Sequence, residues 1–321
     1  MNQVITHILN LSRRVYARLS ERQSFMLPDH SVARQEDSDA IKAVISSSEP
    51  CLVGRFGSTE MSAILCYVEM QAPGGLLPKS VRYVTGKTGP FWWDDDIRRN
   101  MNQCSGFFPI DDDSLERFGE LMLNVAPNID VLGSWLVSES RISSYLSDAI
   151  RINLRGIEPY THENPWSEVL AGKKVLVVHP FEESIKKQYA KREYLFRDPR
   201  ILPEFELKTL KAVQSIAGQP VLFNSWFDAL DRMCEEASQI DFDVAIIGAG
   251  AYGLPLGSFI KTQLGKKALH LGGAVQILFG IKGKRWDDIP FFQQLYNEHW
   301  VRPLSSEVPE NFQVVESGCY W

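Results

Sequence analysis

The chain has 321 residues, of which 44% are hydrophobic and 23% charged, and its formal net charge is −6. This composition supplies a sizeable core and excludes a disordered chain, and the negative charge argues against nucleic acid as a partner. No apolar run reaches the roughly 18 residues of a transmembrane helix. The five cysteines are dispersed and lack C-x-x-C spacing, which favours reduced thiols in a cytoplasmic protein.

Residues 2–22 have the pattern of an amphipathic helix, within an N-terminal extension that we assign to residues 1–30. Its apolar residues lie on one side, and its basic residues populate the rest: Val4, Ile8, Leu9, Leu11, Val15 and Leu19 against Arg13, Arg14, Arg18 and Arg22. Two interpretations stay open. Either the helix packs on the domain, or it makes a peripheral contact with the anionic inner face of a membrane.

Residues 31–321 are predicted to form one domain in which strands alternate with helices. The predicted strands are Cys51–Phe56, Val81–Val84, Asp130–Leu132, Lys173–Val178, Pro220–Phe223, Val244–Ile247 and Ala268–Leu271. The predicted helices are Asp37–Ser48, Met61–Met70, Phe91–Cys104, Leu115–Asn124, Ser138–Asp148, Glu182–Phe196, Trp226–Ser238 and Leu256–Leu264. This alternation indicates an α/β class: a single Rossmann-like domain with a mainly parallel sheet, helices on both faces and an extra N-terminal helix.

Ligands of such sheets bind at the carboxyl ends of the strands, so three strand ends are candidate sites. The first is Arg55–Glu60, a strand-to-helix turn that carries a guanidinium and a carboxylate. Arg55 has the geometry to clamp a diphosphate, whereas Glu60 suits a divalent metal, a hydroxyl proton or a sugar hydroxyl. The alternative is an ordinary ion pair with helix capping.

The second candidate end contains His179, which directly follows a strand and precedes Glu182 and Glu183. His179 or Glu182 is the candidate general base, and His179 is also suited to donate a hydrogen bond to phosphate. A histidine with an ordinary structural hydrogen bond remains the alternative.

The third end is the G-x-G-x-x-G turn of Gly248–Gly253, which opens a helix and suits a phosphate group. A dinucleotide site needs an acidic residue where the next strand ends, but this strand ends at His270, Leu271, Gly272 and Gly273. A phosphate-bearing ligand other than a dinucleotide, a nicotinamide or flavin site, and a turn without ligand all stay open. The candidate binding residues in this region are Gly248, Gly250, Tyr252, Gly253, His270, Gly272, Gly273 and Lys282.

The pairing of Arg55-Phe56-Gly57-x-x-Glu60 with this late strand–glycine–helix–strand unit resembles the GT-D glycosyltransferases. In that family the early motif reads Arg-Phe-Gly-Asp-Gly-Glu, and its Asp-x-Glu is implicated in holding a metal and the diphosphate of a nucleotide sugar. The resemblance covers roughly residues 50–70 and 175–285, and it implies that Arg55, Gly57 and Ser58 contact the donor. Ser58 and Thr59 replace the family's aspartate and glycine.

The resemblance implies a hexosyltransferase-type enzyme that moves a sugar from a nucleotide-sugar donor, expected to be a UDP-sugar. The expected acceptor is a cell-surface polysaccharide or a lipid-linked glycan precursor. Glu60 would hold Mn²⁺ or Mg²⁺, or donor hydroxyls if no metal binds, since the Ser58 hydroxyl is a poorer ligand than a carboxylate. An NAD(P)-dependent oxidoreductase and a non-catalytic Rossmann-like binding module are the alternative functions.

Overall fold

A computed structural model of the chain describes residues 3–19 and 33–321. The predicted N-terminal helix is present as α1, Gln3–Leu19. The remaining parts of the assigned extension, residues 1–2 and 20–30, lie outside the described residues. Leu9 and Arg13 attach α1 to the domain: Leu9 packs with Tyr83, and Arg13 donates hydrogen bonds to the carbonyl oxygens of Tyr83 and Thr88.

Seven parallel strands form one sheet in the described part of the chain. They are β1 (Leu52–Gly54), β2 (Val131–Ser134), β3 (Ile150–Asn153), β4 (Lys174–His179), β5 (Glu206–Lys211), β6 (Val244–Ile247) and β7 (Lys267–His270). Their order is β3-β2-β1-β7-β6-β4-β5. Ile247 lies opposite Val178 on one side and His270 on the other, so the carboxyl ends of β4, β6 and β7 lie level. The predicted α/β class with a parallel sheet is confirmed.

Eleven further α-helices connect and cover the strands in residues 33–321. They are α2 (Gln35–Ser46), α3 (Ser58–Gln71), α4 (Leu76–Val84), α5 (Asp95–Ser105), α6 (Asp112–Val125), α7 (Glu182–Tyr189), α8 (Trp226–Ser238), α9 (Gly253–Thr262), α10 (Ala274–Leu278), α11 (Lys284–Asp287) and α12 (Pro290–Leu295). No helix of the described residues is long and apolar enough to cross a membrane.

The strand predicted at Val81–Val84 is wrong, because these residues end helix α4. Their β-branched and aromatic side chains are typical of strands, but packing of Tyr83 against α1 decides the local structure. Residues 220–223 form no strand either. The predicted helix at Ser138–Asp148 is instead a 3₁₀ segment, Val137–Tyr145, which is kinked at Ile142.

Two strands that the sequence analysis missed, β3 and β5, are the outer strands of the sheet. Each has one buried residue, with the others exposed or half-buried, and β5 reads Glu-Leu-Lys-Thr-Leu-Lys. Charged residues on an edge strand protect it from pairing with other chains, but they also remove the apolar run by which central strands are recognised.

The core lies in two layers, one on each face of the sheet. Along β4, Leu176 and Val178 face the first layer, whereas Val175 and Val177 face the second, as the two-residue period of a strand requires. The first layer contains residues of α3, α6, α8 and α9, and the second contains residues of α2, α7 and α10. Helices thus cover both faces, as predicted.

Connections that run towards β3 lie in the first layer, and those that run towards β5 lie in the second. Helices α3, α8 and α9 follow β1, β5 and β6 on the first side, while α7 follows β4 on the second. This division is what crossovers of a single hand produce. Because the chain leaves β4 and β6 on opposite faces, a crevice opens between their carboxyl ends.

The contact between α3 and α6 depends on Gly119. A Cβ atom at position 119 would lie 2.5 Å from both Cβ and Cγ of Tyr67. An alanine inside a helix normally stabilises it by about 1 kcal/mol relative to glycine. For Gly119→Ala we expect the opposite sign, a loss of about 1–3 kcal/mol in the free energy of unfolding, since the two helices must move apart.

Urea denaturation measures this effect. Gly89→Ala is the control, because nothing lies within 4 Å of the added methyl group there. A Gly119→Ala variant as stable as the wild type would contradict the close helix contact.

Candidate functional site

A cleft lies at the carboxyl ends of the four central strands, β1, β7, β6 and β4. It brings together most of the site residues predicted from the sequence: Arg55, Gly57, Ser58, Glu60, His179, Gly248, Gly250, Tyr252, His270, Gly272 and Gly273. These residues come from four segments, which are separated by more than a hundred positions of sequence or by whole helices. The parallel sheet alone makes them neighbours.

Arg55 is the first residue after β1, and no acidic residue of the described chain pairs with it. Its Nε is buried without a hydrogen-bond partner among the described residues. The guanidinium lies 5.5 Å from the ring of Trp135, and the indole of Trp135 donates a hydrogen bond of 2.8 Å to the carbonyl of Phe56. The nearby carboxylate of Glu158 instead pairs with Arg155 at 3.4 Å. Arg55 therefore has no salt-bridge partner among the described residues, although the Glu158 carboxylate is near enough to interact with it electrostatically.

The glycine turn after β6 is shaped by two histidines. A side chain at Gly248 would lie 2.5 Å from the His179 ring, and one at Gly253 would lie 1.9 Å from Nδ1 of His270. Gly250 has a φ of +54°, in the left-handed region, and is exposed in the cleft. The glycines thus serve close packing at both ends of the turn and leave open backbone in its middle.

His179 is buried, and burial lowers its pKa to about 3, so the ring is neutral at ordinary pH. The backbone N–H of Phe181 donates to Nδ1 at 2.9 Å. A ring nitrogen that accepts a hydrogen bond carries no proton, so the proton lies on Nε2. This geometry favours a hydrogen-bond donor at His179 over the base proposed from the sequence.

His270 is the last residue of β7 and is likewise buried. Burial, assisted by the positive charge of Arg55, lowers its pKa to about 3. Its Nδ1 lies against Gly253 and has no hydrogen-bond partner in the described part of the chain. No acidic residue stands at this strand end, where a dinucleotide fold holds the ribose hydroxyls.

Glu60 lies in the first turn of α3, and its two carboxylate oxygens have different surroundings. Oε1 accepts a hydrogen bond of 2.8 Å from Ser105, while Oε2 lies 1.8 Å from where a Cβ atom of residue 57 would stand. Gly57 is therefore required for the carboxylate to fold over the start of the helix.

The residues here do not fit a preformed metal site. No group of three or more His, Cys, Asp or Glu side chains suited to a metal occurs among the described residues. Ser58 contributes a neutral hydroxyl where a second carboxylate would be needed, and Glu60 is already bonded to Ser105.

Three predicted site residues do not line the cleft: Glu182, Lys282 and Gly253, which packs against His270. Glu182 lies outside the cleft and bonds to Thr209 at 2.6 Å and Lys186 at 2.9 Å. Partial burial raises its pKa, but these bonds prevail and hold it below the ordinary value. Lys282 also lies outside the cleft, with its Nζ 5.0 Å from the centre of the Tyr296 ring.

Tyr252 borders the cleft, but most of its contacts belong to the core. Its ring stacks on Trp226 at 4.7 Å, and its hydroxyl lies 3.0 Å from Oγ of Ser215. Burial raises the pKa of the Tyr252 hydroxyl, which therefore stays protonated. These contacts make Tyr252 a support of the cleft wall.

The sequence analysis missed the part of the cleft that comes from the last residues of the described chain. Glu316, Tyr320 and Trp321 line the cleft, and Glu316 forms a salt bridge with Arg285. The side-chain amide of Gln276 donates to the carbonyl of Tyr320 at 2.8 Å. The aromatic character of this tail was the available signal, but no motif linked it to the strand ends.

The buried histidines make stability depend on pH. The pKa of His179 is about 3 in the folded chain and 6.5 in an ordinary setting, so the unfolded chain binds more protons between these values. The stabilisation from the neutral ring is thus complete above pH 6.5 and is lost as the pH falls. In His179→Asn, the amide oxygen replaces Nδ1 as acceptor but does not titrate.

We expect the stability difference between wild type and His179→Asn to shrink by about 1.4 kcal/mol per pH unit below pH 6.5. Urea denaturation between pH 5 and 8 measures it, with His299→Asn as control, since this side chain is 38% exposed. A difference that does not vary with pH would contradict the neutral buried ring.

Comparison with known proteins finds a similarity in the segment that contains β4, β5, β6 and β7. Residues 158–278 match the family model of a GT-D fold-like domain, which is less than half of the chain. The matched segment includes His179, the glycine turn and His270, but not Arg55–Glu60. No curated protein and no solved structure matches the chain. The resemblance is confirmed at the level of the fold: residues 158–278 are similar to a GT-D fold-like domain.

Proposed function

We propose that this protein transfers a sugar from a nucleotide-sugar donor, a UDP-sugar in the simplest case, to a glycan acceptor. The acceptor class we propose is a cell-surface polysaccharide or a lipid-linked glycan precursor on the cytoplasmic side of a membrane. The observation that carries the proposal is the unpaired guanidinium of Arg55. It lies in a cleft that is also lined by the exposed Gly250 and the half-buried Gly272, an arrangement that suits a diphosphate.

In such a transfer the acceptor oxygen forms a bond to C1 of the sugar while the bond from C1 to the diphosphate oxygen breaks. The bonding electron pair stays on the diphosphate, and Arg55 stabilises the negative charge that develops there. The Nε2–H of His179 is a second donor for that group. The acceptor hydroxyl loses its proton, and Glu60 is a cleft carboxylate that can accept it.

The rest of the cleft suits the other parts of a nucleotide sugar. Trp135, Tyr320 and Trp321 supply aromatic faces on which a base or a sugar ring can stack. The oxidoreductase alternative has less support, because β7 ends at His270 with no acid for the ribose. A non-catalytic module would bind the same nucleotide without turnover, so donor hydrolysis distinguishes it from a transferase.

Removal of the guanidinium tests the proposed role of Arg55. A hydrogen bond to a charged group contributes about 1.5–3 kcal/mol, so we expect Arg55→Ala to weaken UDP binding about 10- to 150-fold. Arg55→Lys should recover part of the loss, since it keeps the charge but not the two-pronged geometry. Isothermal titration calorimetry with UDP measures the affinity.

Arg232→Ala is the matched control, because Arg232 lies outside the cleft and pairs with Glu236 on the same helix. Unchanged UDP affinity and unchanged UDP-sugar turnover in a folded Arg55→Ala variant would remove the basis of the proposal.

We further propose that donor binding does not need a divalent metal held by Ser58 and Glu60. Affinity for UDP should then stay within about twofold when EDTA replaces Mn²⁺, because Arg55 supplies the positive charge. Ser58→Asp would create the Asp-x-Glu pair. Without metal it should weaken UDP binding by repulsion, and Mn²⁺ should restore that binding.

Ser62→Asp, one turn further along α3, is the control for added charge. Loss of wild-type UDP binding in EDTA would show that Glu60 works with a metal despite Ser58, and the metal-free proposal would then be abandoned.

A further inference from the structure

The N-terminal helix α1 is fixed to the domain by one face. Leu9 packs in a cluster with Tyr83 and Trp92, and Asn10 accepts a hydrogen bond of 2.5 Å from the Tyr83 hydroxyl. Arg13 lies on the same face, 4.4 Å from the centre of the Tyr83 ring. These contacts join α1 to α4 and determine which side of each helix faces outwards.

The outward side of α1 is apolar. Ile8, Leu11 and Val15 follow one another at helical spacing, opposite Leu9, and are 55%, 56% and 47% exposed. Helix α4 continues this exposure, since Leu77 and Val81 are 75% and 54% exposed. We name these five residues, with Leu76 at 51%, the α1–α4 apolar surface. Exposed apolar side chains at helical spacing, such as Ile8, Leu11 and Val15, mark an interaction surface.

The charge of the same two segments is opposite to that of the whole chain. Residues 3–19 contain three arginines and no acidic residue, and residues 70–93 contain Lys79, Arg82 and Lys87 and no acidic residue. The chain as a whole has 40 acidic residues and a net charge of −6. Arg14 and Arg18 are exposed beside the apolar stripe of α1. Arg82 is paired with Glu69, so the exposed positive charge lies mainly beside the apolar side of α1.

We propose that the α1–α4 apolar surface docks on an anionic lipid bilayer. The apolar side chains enter the boundary between headgroups and acyl chains, and the surrounding cations pair with the lipid phosphates. Charge selects this occupant over a second copy of the chain. A symmetric pair of α1 helices would bring Arg14 and Arg18 against the same arginines of its partner, whereas an anionic surface neutralises them.

Co-sedimentation of the full chain with vesicles tests the proposal, and it needs no sugar donor. We expect binding to phosphatidylcholine vesicles that contain about 30% phosphatidylglycerol and much weaker binding to phosphatidylcholine alone. Each cation near such a surface contributes about fivefold, so Arg14→Gln with Arg18→Gln should weaken binding about 25-fold at low salt. Leu11→Gln with Val15→Gln should weaken it about tenfold or more.

Two matched controls remove cations or apolar side chains from other parts of the protein surface. Lys187→Gln with Lys211→Gln removes two exposed cations, and Leu222→Gln with Tyr194→Gln removes two exposed apolar residues. Both controls should bind vesicles as the wild type does. Circular dichroism checks that every variant keeps its helices.

Three results would overturn the proposal. The wild type does not sediment with anionic vesicles, it sediments equally with neutral ones, or the α1 variants bind as well as the controls. Sedimentation velocity adds a separate readout. Self-association that Leu11→Gln with Val15→Gln abolishes, without vesicle binding, would assign the surface to a second copy of the chain.

Discussion

The position at which each strand ends is the constraint on which the rest of this structure depends. In a parallel sheet every carboxyl end points to the same edge, so β1, β7, β6 and β4 deliver Arg55, His270, Gly248 and His179 to one place. Connections of one hand then carry the chain away from β4 and β6 on opposite faces, which leaves the space between their ends uncovered. The order of the strands and the hand of their connections are therefore enough to produce the cleft.

The side chains that line the cleft determine which ligands it can hold. The glycine turn has the G-x-G-x-x-G spacing of a dinucleotide-binding motif, but its first and last glycines pack against His179 and His270. Both rings are buried and neutral, so they contribute donors or acceptors but no charge. What remains for a ligand is the open backbone at Gly250 and Gly272 and the guanidinium of Arg55. That set suits the phosphate groups of the proposed donor, and it includes no acid for a ribose.

The sequence was sufficient to predict the central strands of the sheet but not its edge strands. Buried strands such as β4 and β6 have continuous apolar runs, and their ends identify Arg55, His179 and the glycine turn. The edge strands β3 and β5 have no such run, and α4 resembles a strand until its packing on α1 is known. Glu182 closely follows the end of β4, yet its bonds to Thr209 and Lys186 hold it outside the cleft, and Lys282 lies against the ring of Tyr296. Tyr320 enters it through a long-range contact with Gln276, which no local pattern encodes.

The charges in the cleft also indicate which type of ligand it favours. A metal site needs several negative ligands gathered around one cation, and the ligand's own phosphates then complete the shell. Here the fixed charge is reversed: Arg55 is positive and unpaired, Ser58 is neutral, and Glu60 is tied to Ser105. Arg55 is half-buried, and a partly desolvated cation without a hydrogen-bond partner favours the binding of an anion. Ser58 in place of a carboxylate and Arg55 without a salt-bridge partner are both consistent with the proposed donor, whose diphosphate would supply the negative charge.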